Sequence, residues 1–160
     1  MSAGGVAPLQ LQGSCVALAG VGLLLRGPSG AGKSALARRL VEAGAVLIAD
    51  DLCQIERQGE RLIIDLPAAV DAKFRGQIHI RGRGILSLAY FGPAPLGLVA
   101  DLEASAPDGR PPDRVEFLGL ALPRIVLDPR QASALARLRA VAAGYGIHPS
   151  PRRPQSPPPP

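Results

Sequence analysis

The stretch from Leu23 to Leu40, LLLRGPSGAGKSALARRL, constrains the fold of this chain more than any other. An apolar run passes into a glycine-rich loop and then into a segment with apolar residues at helical spacing, so a strand, a tight loop and a helix follow one another. Gly27, Gly32, Lys33 and Ser34 satisfy the phosphate-loop pattern GxxxxGK[ST], and Gly30 adds a flexible position. Such glycines let backbone N–H groups converge on phosphate oxygens, and the helix that follows adds its positive N-terminal end. Lys33 then reaches the β- and γ-phosphates, while the Ser34 hydroxyl can coordinate Mg²⁺. The segment Gly27, Pro28, Ser29, Gly30, Ala31, Gly32, Lys33 and Ser34 is therefore expected to bind a nucleoside triphosphate. The chain relies on arginine nearly everywhere and has only two lysines, Lys33 and Lys73; one of them stands where the pattern demands it.

Around this unit the sequence predicts short strands punctuated by glycine. CVAL (residues 15–18) and VGLLLR (21–26) flank Ala19-Gly20 at the spacing of a tight hairpin. A helix is expected over Lys33 to Ala43, with Leu36, Leu40 and Val41 on one side and Gly44 placed to end it. AVLIA (45–49) suits a strand covered on both faces. LCQIER and RLIID, separated by Gln58-Gly59, predict a second hairpin, and LGLVADLE (96–103) another strand before the surface loop APDGRPPD. FLGLALPRIVL supplies one or two strands, with Pro123 expected to interrupt them. A second helix is expected to begin with Asp128 as cap and Pro129 in its first turn, and to end at Gly144. Two helices and a mixed sheet of about six to eight strands make an α/β domain.

A chain of 160 residues fits one such domain, expected over residues 1–147. Aromatic residues are 3% of the chain and tryptophan is absent, so Leu, Val, Ile and Ala must fill the core. The sequence HPSPRRPQSPPPP (148–160) has too little apolar content to repay ordering and is expected to be a disordered tail. Cys15 and Cys53 have neither metal nor redox spacing, and there is no signal peptide or membrane-length apolar run; a reduced, cytoplasmic protein without membrane attachment is expected. The net charge is +5, but the arginines are scattered among acids and few aromatics are available to stack on bases, so nucleic acid is not an expected partner.

Asp50 and Asp51 end the strand after the phosphate-loop helix. Carboxyl ends of strands line the ligand crevice of open α/β sheets, so these two acids could serve as metal ligand and general base; they could equally be an ordinary strand-ending turn. GLVAD, ending at Asp101, competes for the metal-binding role. IHIRGRGI (78–85) reads as a strand entering a glycine-hinged loop, and a guanidinium there, Arg81 or Arg83, could stabilise a transferring phosphoryl group or simply be solvated.

GVGLLLRGPSGAGKSALARRLVEAGAVLIADD followed by IHIRGRGI resembles the catalytic domain of bacterial HPr kinase/phosphorylase, over roughly Leu11 to Ala143, in a short form without that family's N-terminal domain. The resemblance implies an HPr kinase/PEP-carboxykinase-like fold and an ATP- and Mg²⁺-dependent protein serine kinase whose substrate is an HPr-like phosphocarrier. It implies that Lys33 is catalytic and that Asp51, with Asp50 beside it, accepts the proton of the target serine. Arg81 lies in the loop used for catalysis, and Arg114 is a weaker match to a further arginine. A hexamer is implied by the resemblance alone. DPRQAS (128–133) falls where the family has a segment tied to dephosphorylation, but the local match is poor, so the resemblance carries the kinase further than the phosphorylase.

Two positions depart from the family. Gln12 stands where a histidine is usual, and glutamine carries no proton charge near neutral pH. His79 stands where a glutamate is usual; together with Ser34 it is the candidate metal ligand, although neutral imidazole suits softer metals than Mg²⁺. These departures keep two alternatives open: an ATP-binding regulatory protein with reduced catalysis, and a small-molecule kinase on the same scaffold.

Overall fold

The structure is a computed structural model that describes residues 6–80, 82–107 and 109–147. Arg81 and the proline-rich segment 148–160 lie outside the described residues. In chain order the elements are β1 (Leu9–Gln12), β2 (Ser14–Leu18), β3 (Val21–Arg26), α1 (Lys33–Glu42), β4 (Val46–Ala49), β5 (Leu52–Gln58), β6 (Arg61–Asp65), a 3-10 turn (Ala72–Phe74), β7 (Gln77–Ile80), β8 (Gly84–Ser87), β9 (Ala94–Leu102), β10 (Asp113–Phe117), β11 (Leu120–Leu127) and α2 (Ala134–Gly144). The α/β class with few helices is as expected, and the mixed sheet is larger than expected, with nine strands and a separate β7–β8 hairpin among the described residues.

Both expected hairpins form. β2 and β3 turn at Ala19 and Gly20, whose φ angles of 59° and 79° suit a tight hairpin turn. β5 and β6 pair antiparallel from Gln54↔Asp65 to Gln58↔Arg61. The sheet runs β1-β5-β6-β9-β3-β2-β4, with β11 joined parallel to β9 and β10 added outside it.

Strict alternation along the central strands makes two cores from one sheet. Val16, Leu23 and Leu25 face the helices and pack with Leu36, Leu40 and Leu138. Cys15, Ala17 and Leu24 face the other way and meet Ile48, Ile55, Ile64 and Val99. β5 stands near one end of the strand order and β2 near the other, yet both supply that second cluster, so the sheet curls over its own face.

Two expectations are corrected. Pro123 does not interrupt β11: it pairs with Arg114 of β10, and pairing with β9 begins only at Arg124. At a position with a neighbour on one side only, the missing N–H can face away from the ladder. The second helix begins at Ala134, not after Asp128. The Asp128 carboxylate instead accepts hydrogen bonds from the backbone N–H groups of Ser105 and Arg130 and from the Arg130 guanidinium, closing a turn that delays the helix by five residues.

Candidate active site at the phosphate loop

β3 runs antiparallel to β2 and parallel to β9, and its carboxyl end delivers Gly27 to the loop. A Cβ at Gly27 would stand 3.0 Å from Ala31 Cβ and 3.1 Å from Leu102 O, so a larger residue would push the loop off the sheet. Gly32 takes a φ of 98°, which glycine adopts without steric cost, and directs the chain into α1. No side chain caps α1, so its first N–H groups remain available at the positive end of the helix. Lys33 lies back over the loop, its Nζ donating to Gly27 O at 2.7 Å and to Pro28 O at 3.1 Å.

Opposite the loop, β4 ends in the acid pair, and the two acids are held differently. Asp50 Oδ1 accepts from Ser34 Oγ at 2.7 Å and from Ser14 Oγ at 2.6 Å; Oδ2 accepts the backbone N–H of His79 at 3.2 Å. α1, β2 and β7 are thereby tied to the end of β4. Asp51 is exposed, has a left-handed φ of 74°, and its carboxylate has no hydrogen-bond or ion-pair partner among the described residues. Backbone strain of this kind in a residue other than glycine gathers at functional sites.

Lys33, Ser34, Asp51 and the exposed His79 line one cleft of about 930 Å³, which continues along α1 past Arg38 and Arg39. Of the sequence candidates, Ser29, Gly30, Gly32, Lys33, Ser34, Asp51 and His79 line this cleft, and Asp50 is hydrogen-bonded to two of them, whereas Gly27, Pro28 and Ala31 do not line it. Arg114 does not: it stands on β10 and donates to Ala121 O at 3.3 Å. Asp101 is drawn elsewhere, between Arg26 and Arg124. Gln12 is exposed at the end of β1.

Sequence reasoning missed Ser14. It is fully buried, one of two buried polar or charged residues among those described, and sits beside Asp50 because β2 pairs with β4 at Cys15↔Ala49. A serine opening an apolar strand has no periodicity that would reveal this.

The arrangement suits a triphosphate with a hard divalent cation. Ser34 Oγ and Asp50 Oδ1 present adjacent oxygens, the donor type Mg²⁺ prefers, while the uncapped N–H groups of α1 and Lys33, which lies over the loop, would be available to an anion there. Among the described residues no group of three or more His, Cys, Asp or Glu side chains is placed to hold a metal ion.

The sequence profile of the HPr Serine kinase C-terminal domain matches residues 6–97, which include the loop, both aspartates and the β7–β8 hairpin. The chain belongs to this family. HPr serine kinase relatives include the HPr kinase/phosphorylase of Geobacillus thermodenitrificans, 32% identical over 146 residues that cover 83% of this chain and 46% of the relative. The HPr kinase/phosphorylase of Chlorobium phaeobacteroides is 45% identical over 84 residues, covering 52% of this chain and 26% of the relative. The chain thus spans less than half the length of these curated relatives. The same fold occurs in the HPr(Ser) kinase/phosphatase of Coxiella burnetii, with a TM-score of 0.67, 21% identity, and coverage of 85% of this chain and 99% of that one. Among the described residues no helix is long and apolar enough to cross a membrane.

Proposed function

We propose that this chain is an ATP-dependent protein serine kinase acting on an HPr-like phosphocarrier. The observation that carries the proposal is the convergence, in one cleft, of the phosphate loop and Asp51, a carboxylate with no hydrogen-bond or ion-pair partner among the described residues. In the reaction the serine Oγ bonds to the γ-phosphorus of ATP, the bond from that phosphorus to the bridging oxygen breaks, and ADP leaves with the bond's electrons. The serine proton passes to Asp51, whose carboxylate has no hydrogen-bond or ion-pair partner among the described residues and so keeps its lone pairs available. Lys33 exchanges the Gly27 and Pro28 carbonyls for phosphate oxygens, keeping the same reach. Asp50 holds Ser34 at the cation position, and Mg²⁺ bound there supplies positive charge to the phosphates. Arg81, between Ile80 of the cleft and Gly82, is assigned to the charge on the transferring group by its place in sequence. His79 contributes its backbone N–H to Asp50, a role that is independent of its side chain and so tolerates the departure from glutamate.

The test is incubation of the full chain with labelled ATP, Mg²⁺ and a purified HPr-like carrier. Label on a carrier serine is expected; ATP binding without carrier label would reject the kinase in favour of a binding protein, and label on a small hydroxylated acceptor alone would select a small-molecule kinase.

A further inference from the structure

The phosphate loop has a second lip. Beyond Ser29 and Gly30, on the side away from Asp51, a separate cleft of about 320 Å³ lies between the loop and the carboxyl ends of β9 and β11. Its walls are apolar at Pro28, Ala31, Leu102, Ala104 and Pro129, and Arg130 stands over them. Both sides are fixed. Pro129 Cγ lies 3.5 Å from where a Cβ on Gly32 would be, and Pro129 O accepts from Arg39 Nη1 at 3.0 Å, so the 128–130 turn is braced against α1. The buried Asp128 carboxylate accepts two hydrogen bonds from the Arg130 guanidinium, at 3.1 Å each, while 68% of the Arg130 side chain remains exposed.

We propose that this cleft binds the nucleoside of the nucleotide whose phosphates occupy the loop, with the planar base between the apolar wall and the guanidinium plane of Arg130. This rests on the kinase reading and deepens it. A phosphate chain is linear: if its terminal phosphoryl group faces Asp51, the other end leaves the loop across the opposite lip, where Ser29 and Gly30 pass from one cleft to the other. The cleft there has the character of a ligand pocket, mostly apolar with a few placed polar groups. A guanidinium held in plane by a carboxylate presents its faces for stacking, and arginine stacks on aromatic rings more readily than lysine does. The turn that displaced the start of α2 thus has a use: it aims Arg130 across the loop instead of into a helix.

The test compares MgATP with Mg-tripolyphosphate, which has the phosphates and no nucleoside, by titration calorimetry on the full chain. Wild type is expected to bind ATP about tenfold or more tightly than tripolyphosphate, the scale of one well-packed stacking contact. Ala104→Phe, at an exposed turn, fills the cleft and should bring ATP down to the tripolyphosphate level while leaving tripolyphosphate itself within about twofold. Arg130→Ala should narrow the preference without abolishing it. Equal affinity of wild type for the two ligands would overturn the nucleoside site and leave the phosphate loop standing, as would an undiminished ATP preference in both variants. Failure of wild type to bind either ligand would remove the kinase reading as well.

Discussion

Both oxygens of Asp50 are engaged by donors from three elements, whereas the carboxylate of its neighbour Asp51, in the cleft, has no such partner among the described residues. Asp51→Asn is expected to lower phosphotransfer by about 10²-fold or more, the usual contribution of a positioned general base. Asparagine tolerates the left-handed backbone at this position, so the substitution removes charge without disturbing φ. ATP affinity, followed by calorimetry, should stay within about threefold, since a base acts on the acceptor and not on the bound nucleotide. Ser14→Ala tests the other aspartate. One hydrogen bond is lost from a fully buried site while Asp50 keeps two donors, so stability should fall by only about 1 kcal/mol in denaturant unfolding. Transfer should fall by about tenfold or more if Ser14 fixes the carboxylate that positions Ser34, because small misplacements in an active site cost large factors. A loss of stability with undiminished turnover would make Ser14 a purely structural residue. The loop residues were legible because their pattern is local. Ser14 was not, because its partner lies 36 residues away and is reached only through the β2–β4 pairing.

At the scale of elements, β3, β9 and β11 are pinned together beside the loop by charge. Asp101 at the end of β9 accepts from Arg26 Nε at 2.8 Å and Nη2 at 2.9 Å, and from Arg124 Nε at 2.5 Å; Arg124 also holds Asp113 of β10. Burial pushes the Asp101 carboxyl up, but the hydrogen bonds from Arg26 and Arg124 prevail and hold it below its usual value. Its folded value being depressed, the network stabilises the fold fully above the unfolded value of about 4 and loses that contribution as pH falls through the folded value. Asp101→Asn is expected to cost about 1–3 kcal/mol near neutral pH, allowing for the partial exposure of the pair. Thermal unfolding of the two proteins across pH should show the gap closing below about pH 4, and a gap that is constant with pH would mean the loss is steric and not ionic. This triad engages the aspartate of the sequence competitor GLVAD with two arginines that no local pattern connects to it, which leaves it poorly suited to a cation. The hairpins were legible for the opposite reason, since turn residues and alternating strands are contiguous. Asp128 misled because a side chain that could cap a helix serves equally to close a turn, and here it is held in the turn by Arg130 and by Ser105, which comes from a distant loop.

On the scale of the whole molecule, one end of the sheet gathers both clefts of the proposed site. β3 and β4 end at the phosphate loop and the acids, β9 and β11 end at the second cleft, and α1 starts between them. The curl of the sheet was not legible, because alternation along each strand says that both faces are buried but not that the second face is covered by the sheet's own far strands. Elements that meet at one end are separated by unfolding, so a ligand bridging them must stabilise the entire fold, by RT ln(1 + [L]/Kd). MgATP at a hundredfold excess over Kd should add about 2.7 kcal/mol, which for a chain of this size raises the melting temperature by roughly 5–10 °C. Lys33→Ala should lose most of that increment while keeping its own unliganded melting temperature close to wild type. Among the described residues Lys33 bonds only to two loop carbonyls, one of them at an exposed contact, so in the free protein it supports little besides the loop. An equal rise in the variant, measured by calorimetry at the same nucleotide concentration, would place the nucleotide somewhere other than this loop. A lowered unliganded melting temperature with a normal rise would assign Lys33 to the fold instead of the phosphates.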